Sequence, residues 1–262
     1  MKQIEAESID MVCTSPPYDN LRTYNDSSSW NYETFTEVAD ELARVLKPGG
    51  VIMWNVGDAV VDGSETLSSF KQALYFKEEC GLKMHDTMIY QKSSSSYPSH
   101  EASVRYSQVF EYCFVLSKGK PKTINLIKDR KNRWAGTSSF GYRSTRNTDG
   151  SLRKSKSKVK VQEFGFRDNI WLINNSFGFT SNAKDSYNHP AIMPYDLALD
   201  HIRSWSNEGD IILDPFMGSG TTARAAYQVD RNWIGFEIDT EYFQLCEEII
   251  ATDCNSVWDK VS

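Results

Sequence analysis

The sequence predicts an α/β protein built on a mainly parallel sheet with helices on both faces. Three observations predict it. Short apolar runs of strand length alternate along the chain with longer segments of helical periodicity. Two of these runs, Ile9 to Cys13 (broken only by Asp10) and Ile211 to Leu213, are strongly apolar, as strands buried on both faces are. Each then closes on a rigid or glycine-rich turn: Thr14-Ser15-Pro16-Pro17-Tyr18 after the first, and Asp214-Pro215-Phe216-Met217-Gly218-Ser219-Gly220-Thr221-Thr222 after the second.

Taken in order, Ile9 to Ser15 reads as a buried strand. Glu33 to Leu46 reads as a helix, because Phe35, Val38, Leu42, Val45 and Leu46 share one face. Lys47-Pro48-Gly49-Gly50 stops it, with a base at the carboxyl end and Pro and Gly beyond. Val51 to Val56 is the next strand, and Leu67 to Cys80 a helix ending at Gly81. Met84 to Tyr90 and Val109 to Leu116 read as strands, with a Ser/Tyr/Pro loop from Ser93 to Ser99 between them. From Lys118 to about Lys160 periodicity fades and charge, Ser, Thr and Gly accumulate, which marks an insertion the core does not need. Regular structure resumes near Phe164. Ile192 to Trp205 follows as a helix, Ile211 to Asp214 as a strand, Thr221 to Gln228 as a helix, Trp233 to Glu237 as a strand and Thr240 to Ile250 as a helix. This divides the chain into residues 1–117, a basic insertion at 118–163, and residues 164–262.

A chain of 262 residues buries a sizeable core and suits one α/β domain with an inserted part. No apolar run reaches membrane-span length, and the polar, acidic start from Met1 to Asp10 has no signal-peptide pattern. The five cysteines are odd in number, scattered and without a CxxC pair, so a reducing cytoplasm is expected, with no metal and no disulfide frame. His85, His100 and His201 lack metal-ligand spacing. Net charge is −6, yet Lys118 to Lys160 carries +12, which leaves −18 on the rest. That asymmetry puts a cationic surface on an acidic body. The bland reading is a solvated loop. Trp134, Phe140 and Tyr142, interleaved with Gly136 and Gly141, favour nucleic-acid contact instead. The bases expected to make it are Lys128, Arg130, Lys131, Arg133, Arg143, Arg146, Arg153, Lys154, Lys156 and Lys158.

In an open α/β sheet, ligands bind at the carboxyl ends of the strands. The unit at 211 to 228 provides such an end, where Gly218 and Gly220 let the backbone approach a ligand and the next helix offers free amides. Neither GxGxxG nor Gly-Lys-Ser/Thr is present, so a dinucleotide or triphosphate is not the first expectation. One strand later, Glu237 stands where a carboxylate accepts from both ribose hydroxyls; the plainer reading makes Glu237 and Asp214 helix caps. At the other motif, two prolines fix φ and remove two amide donors, leaving carbonyls. A rigid carbonyl beside the Ser15 hydroxyl can hold an amino group, and Tyr18 adds a flat face; the plainer reading is a rigid turn with a core Tyr. Asp58 ends a strand and either approaches the site or caps a turn, and Cys13 reads as core.

Together these segments resemble the amino-methylating DNA methyltransferases. Thr14 to Tyr18 matches that family's catalytic motif, Asp214 to Thr222 its cofactor motif, and Gly235 to Tyr242 its ribose-contact segment. His189-Pro190-Ala191, with Pro194 and Leu197 to Ile202, matches the motif preceding the cofactor loop, and Glu41 to Val51 the segment after the catalytic motif. The order, catalytic first and cofactor later, resembles the permuted β group. The resemblance implies a Rossmann-like, circularly permuted class I methyltransferase fold. It implies transfer of a methyl from S-adenosylmethionine to the exocyclic nitrogen of a base flipped out of duplex DNA. Ser15, Pro16, Pro17 and Tyr18 would be catalytic. Thr14, His189, Asp214, Pro215, Phe216, Gly218, Ser219, Gly220, Thr221, Thr222 and Glu237 would bind the cofactor.

Within the family, Asp or Asn before Pro-Pro-Tyr goes with adenine and Ser with cytosine, so Ser15 favours N4 of cytosine over N6 of adenine. A restriction–modification or phage-protection role follows, with target recognition between Ser93 and Asp185, and with a homodimer and a cognate restriction endonuclease as candidate partners. The family carries a further strand ahead of its catalytic motif, often ending in an acid that contacts the cofactor adenine. Only 13 residues precede Thr14, so that strand is expected to be largely missing, or replaced by the tail from Ala251 to Ser262 through Asp253. The alternatives are a degenerate DNA-binding subunit without activity and a methyltransferase acting on RNA or a small molecule.

Overall fold

Strand β1 (Ile9–Thr14) is buried at all six positions and occupies the interior of a seven-stranded sheet. The computed structural model describes residues 1–18, 30–94, 104–138, 143–155, 160–175 and 192–253. After β1 come α1 (Tyr32–Val45), β2 (Leu46–Val56), the hairpin β3 (Val60–Val61) and β4 (Ser64–Glu65), and α2 (Ser68–Glu78). Then follow β5 (Lys83–Lys92), β6 (Phe110–Ser117), β7 (Arg130–Lys131), β8 (Arg143–Arg146), β9 (Leu152–Ser155), β10 (Phe164–Gly165) and β11 (Ile170–Ile173). The chain continues with α3 (Tyr195–Trp205), β12 (Ile211–Asp214), α4 (Thr221–Gln228), β13 (Asn232–Gly235) and α5 (Thr240–Asp253).

The main sheet runs β11-β5-β6-β2-β1-β12-β13. Its pairs are parallel except those of β6, which lies antiparallel between β2 and β5. This is the mainly parallel α/β architecture expected from the alternation of elements. Val12, Ile52, Trp54, Val56 and Leu213 form one core with Phe35, Ala39 and Leu42 of α1 and Phe76 of α2. Trp54 is its hub: its ring meets Phe35 at 5.9 Å and Phe76 at 5.2 Å, and its indole N–H donates to Gln72 Oε1 at 2.8 Å. Helix α3 packs on β1, and α4 on β12 and β13, without entering that core. Asn31 caps α1 by accepting from the Thr34 amide at 2.9 Å.

Several boundaries differ from the sequence reading for physical reasons. Strand β2 begins at Leu46 rather than Val51, since the Gly49 amide donates to Lys118 O and the Lys118 amide to Gly50 O, which keeps Lys47 to Gly50 in the sheet as an irregularity. Helix α3 starts at Tyr195 rather than Ile192, because Pro194 stands extended as its N-cap. Phe164–Gly165 pairs with β7 instead of rejoining the main sheet, which resumes only at β11. Asp58 caps α2, accepting from the Ser69 amide at 2.8 Å and the Ser69 hydroxyl at 2.6 Å. Among the described residues no strand lies beyond β13, and Ala251–Asp253 form the last turn of α5 rather than a strand; residues 254–262 lie outside the described residues.

Leu126–Asp168 is a compact unit of its own, separate from the unit formed by 1–125 and 169–262. It holds two small antiparallel ribbons, β7 with β10 and β8 with β9. Arg167 and Asp129 brace it with a bidentate ion pair. Lys118 and Lys122, at the start of the expected insertion, belong instead to the larger unit: Lys118 Nζ donates to the carbonyls of Ala43 and Leu46. No described helix is long and apolar enough to cross a membrane.

Asp10 fastens β1 to its surroundings. Its buried carboxylate accepts from Lys47 at 2.8 Å, Lys122 at 2.5 Å and the Ile211 amide at 3.0 Å. Burial pushes the carboxyl up, but the Ile211 amide and the two ammonium groups outweigh it and hold it below the ordinary value. Its contribution is therefore complete above about pH 4 and is lost as pH falls through the lowered folded value. Asp10→Asn is expected to cost about 2 kcal/mol at neutral pH and to flatten the loss of stability below about pH 4, both read from urea unfolding.

Candidate active site

The two motif strands are neighbours. Met11 pairs with Ile212 and Val12 with Leu213 in parallel register, so the loops after Thr14 and Asp214 leave the same edge of the sheet. Thr14 Oγ1 donates to Asp214 Oδ1 at 2.6 Å, and the Phe216 amide donates to the same oxygen at 3.0 Å. Asp214 thus organises both loops and does not cap α4, whose N-cap is Gly220 at φ +82°. A side chain at Gly220 would meet Cys246 Sγ at 2.9 Å, so glycine serves both the turn and the packing of α5. Burial pushes the Asp214 carboxyl up to about 6, against the pull of its hydrogen bonds. Cys13 is fully buried, and burial with the nearby Asp214 raises its thiol well above normal, which fits a core residue.

Glu237, just past β13, accepts from the Gly218 amide at 2.8 Å and from the Asp239 amide at 3.0 Å. The cap of α5 is Asp239, which accepts from the Glu241 and Tyr242 amides. Glu237 therefore holds the glycine loop rather than a helix. The Met217 side chain lies over Gly235, so that an added Cβ would come 2.1 Å from Met217 Cε and push that methionine aside. The loop folds flat over this strand, with the Met217 amide donating to Phe236 O at 2.8 Å.

A cavity of about 620 Å³ joins the two loops. Ser15, Pro16, Pro17 and Tyr18 line one end, and Asp214, Pro215, Phe216, Gly218, Ser219, Thr221 and Glu237 line the other. Thr14 and Thr222 are buried behind the wall, where the Thr222 hydroxyl donates to Cys13 O at 3.1 Å. The size suits a nucleoside-like cofactor with a flat base beside it. Phe216 stands edge-on to Trp30 at 5.1 Å, giving the glycine-loop end an aromatic wall. His189 lies outside the described residues.

Several residues at the Ser-Pro-Pro-Tyr end of the cavity were not singled out from the sequence. Tyr18 Oη donates to Glu111 Oε2 at 2.8 Å and lies 2.9 Å from Ser15 Oγ. Asn55 Nδ2 donates to Tyr18 Oη and to Glu111 Oε2, both at 2.7 Å. Lys92 pairs with Glu111 Oε1 at 2.7 Å. Cys113 Sγ lies 3.1 Å from Asn55 Oδ1 and donates to it, which turns the Asn55 amide nitrogen toward the cavity. Burial and the Glu111 carboxylate both push the Tyr18 phenol well up, so it keeps its proton at neutral pH. The one available signal is position: Asn55 is the penultimate residue of β2, three residues before Asp58.

Of the expected DNA contacts, Lys128, Arg130, Lys131, Arg133, Arg146 and Arg153 belong to the unit 126–168. There Lys128 Nζ sits 4.9 Å from the Phe166 ring centre, and Arg133 5.3 Å from that of the exposed Trp134. Arg130 pairs with Asp168 at 3.2 Å. Arg143 and Lys154 fall on β8 and β9, while Lys156 and Lys158 lie outside the described residues.

Comparison with known proteins bears on the family and the fold. A family model described as DNA methylase matches residues 9–248. The orphan methyltransferase M.BamHII of Bacillus amyloliquefaciens is 52% identical over 241 residues, covering 92% of this chain and 88% of that protein. Among solved structures, the cytosine-N4-specific PvuII DNA methyltransferase superposes with a TM-score of 0.66 at 21% identity, covering 100% of this chain and 84% of that one. The M1.HpyAVI–SAM complex superposes at 0.56 and 22%, covering 94% and 90%.

Asp214 yields a prediction of opposite sign to Asp10. The folded protein keeps a proton that the unfolded chain releases between about pH 4 and the folded value of about 6, so stability falls as pH rises across that window. Asp214→Asn keeps an acceptor for Thr14 and Phe216 but does not titrate. Urea unfolding at pH 4 and pH 7 is expected to show wild type losing about 2–3 kcal/mol more than the variant over this interval.

Proposed function

The chain belongs to the family of amino-methylating DNA methylases that use S-adenosylmethionine, and from that premise we propose that it methylates N4 of cytosine in duplex DNA. The observation that carries this reading is Ser15, a hydroxyl at the rim of the cavity beside the Pro16 carbonyl, one strand away from the glycine loop. S-adenosylmethionine supplies an electrophilic methyl. The cavity fits it: Glu237 lies where ribose hydroxyls would donate, while Phe216 and Trp30 offer an apolar wall for an adenine.

The amino nitrogen of cytosine is a poor nucleophile, because its lone pair is delocalised into the ring. Hydrogen bonds from its two N–H groups to Ser15 Oγ and Pro16 O would draw it toward a tetrahedral geometry, and both acceptors are held before the base arrives. Proline has no amide donor, so the turn presents acceptors where the amino group needs them. The ring of Tyr18, backed by Gly57, offers a face to the extruded base. Stacking there would return on the order of 1–3 kcal/mol of the cost of flipping. A cytosine-N4 specificity in the PvuII enzyme, which shares the fold, supports the choice of base.

The unit 126–168 is proposed as the target-recognition part. Its residues carry a net charge of +8, which leaves −14 on the remainder. Exposed Trp134 beside Arg133 provides a stacking and cationic pair.

Mass spectrometry of nucleosides from DNA incubated with labelled S-adenosylmethionine should yield N4-methylcytosine. Ser15→Ala should lower the yield by about 100-fold or more. Labelled N6-methyladenine would overturn the choice of base. For the recognition unit, replacing Lys131, Arg133 and Arg153 together by Gln should reduce the slope of log affinity against log salt by about 2–3. An unchanged slope would remove that unit from the phosphate contacts.

A further inference from the structure

The described residues place a carboxylate, Glu111, at the base end of the cavity, two strands from Ser15 and outside either motif. Counting protons in its network gives every hydrogen bond a direction. Glu111 is surrounded by donors: Lys92 on Oε1, and Asn55 Nδ2 and Tyr18 Oη on Oε2. The phenol of Tyr18 has one proton, and the carboxylate takes it. Tyr18 Oη must then accept from its other neighbours, Asn55 Nδ2 at 2.7 Å and Ser15 Oγ at 2.9 Å. Ser15 therefore donates toward Tyr18, and beside the weak contact from Asn55 at 3.4 Å a lone pair is left to face the cavity.

We propose that Glu111 is the positioning residue and proton acceptor of the methyl transfer, acting through Tyr18 and Ser15. The inference rests on the reading of Ser15 as the acceptor for the amino group. As the nitrogen lone pair forms the new bond to the methyl carbon, the carbon–sulfur bond breaks and its electron pair stays on sulfur. One amino proton passes to Ser15 Oγ, the Ser15 proton to Tyr18 Oη, and the Tyr18 proton to Glu111 Oε2. Each donor already points along this path, and no other base is needed. The product is a methylated amino group, a neutral thioether and a protonated Glu111, which returns its proton to water.

Gln at 111 tests the direction of the chain. Lys92 would claim the single amide oxygen, and the new NH2 would face Tyr18 and Asn55, which are donors in the native network. Tyr18 would then have to donate to Ser15, which turns the Ser15 proton toward the base and reverses the path.

The experiment measures labelled methyl transfer from S-adenosylmethionine to unmethylated bacterial genomic DNA, with protein in excess, for wild type, Glu111→Gln, Tyr18→Phe and the double variant. Calorimetry reports S-adenosylmethionine affinity alongside. Glu111→Gln is expected to slow transfer by about 100-fold with the cofactor Kd unchanged, and Tyr18→Phe to slow it comparably. Added to Tyr18→Phe, it should cost less than about twofold more, because the chain is already cut. A rate for Glu111→Gln within about threefold of wild type overturns the relay, as does an undiminished effect in the Tyr18→Phe background. Should Glu111→Gln fail to fold, Tyr18→Phe decides alone, since it cuts the same chain without touching Glu111; a near-normal rate then overturns the proposal. A wild type that transfers nothing would defeat the underlying reading and the relay together, whereas an active wild type with indifferent variants defeats the relay alone.

Discussion

The hydrogen bond from Thr14 to Asp214 closes a gap of 200 residues and fixes the geometry of everything at the sheet's carboxyl edge. It exists because β1 and β12 are parallel neighbours, and parallel strands release their following loops at the same end, one strand spacing apart. Burying a carboxylate there is costly. The cost is visible in the raised Asp214 carboxyl and is offset by the Thr14 hydroxyl and the Phe216 amide. A buried acid joined to both loops couples them: moving one loop strands a polar group belonging to the other. The two loops therefore line one cavity, although they arise from opposite ends of the chain.

The Ser15 end of the cavity is specified by proton counting more than by shape. Three acceptors, Ser15 Oγ, Tyr18 Oη and Glu111 Oε2, surround the two protons of the Asn55 amide, and the contact to Ser15 at 3.4 Å is the weakest of the three. Cys113 fixes which way the Asn55 amide faces, and β6 places Cys113 and Glu111 two residues apart, on one face of the strand. The antiparallel insertion of β6 between β2 and β5 brings Asn55, Lys92 and Glu111 together. A sheet that placed β5 directly against β2 would leave this carboxylate out.

This also explains what could be read in advance. Strand β12 and helix α4 were legible to the residue, because an apolar run, a glycine loop and a helical repeat are local signals. The double proline and the glycine loop advertised themselves through backbone chemistry that few other sites need. Glu111 carried no such mark: Phe110-Glu111-Tyr112 reads as an ordinary strand, and its meaning depends on a neighbour 93 positions away. Asp58 drew attention by its charge, but its carboxylate is consumed by the amides and hydroxyls of α2, while uncharged Asn55 three residues earlier reaches the cavity. Lys118 and Lys122 counted toward the basic segment in the sequence, yet in the fold they serve backbone carbonyls and Asp10. Charge can be counted from sequence; the partner that neutralises it comes only with topology.

The same accounting bears on how an acidic protein holds DNA. At −14 outside residues 126–168, the larger part of the chain repels a phosphate backbone on average, and attraction has to come from where the cations are free to meet it. Within 126–168, Arg130 and Arg167 are already committed to Asp168 and Asp129, which subtracts them from any such contact in part. Lys131, Arg133 and Arg153 are exposed, and none of them is in an ion pair among the described residues. If that unit tracks phosphates, as proposed, its strength comes from a small number of unpaired bases rather than from the full count. Binding would then weaken steeply with salt, while net charge would give no warning of it. An acidic remainder has a use in this scheme: it discourages non-specific adhesion elsewhere on the surface, so that DNA is held where its bases can be read.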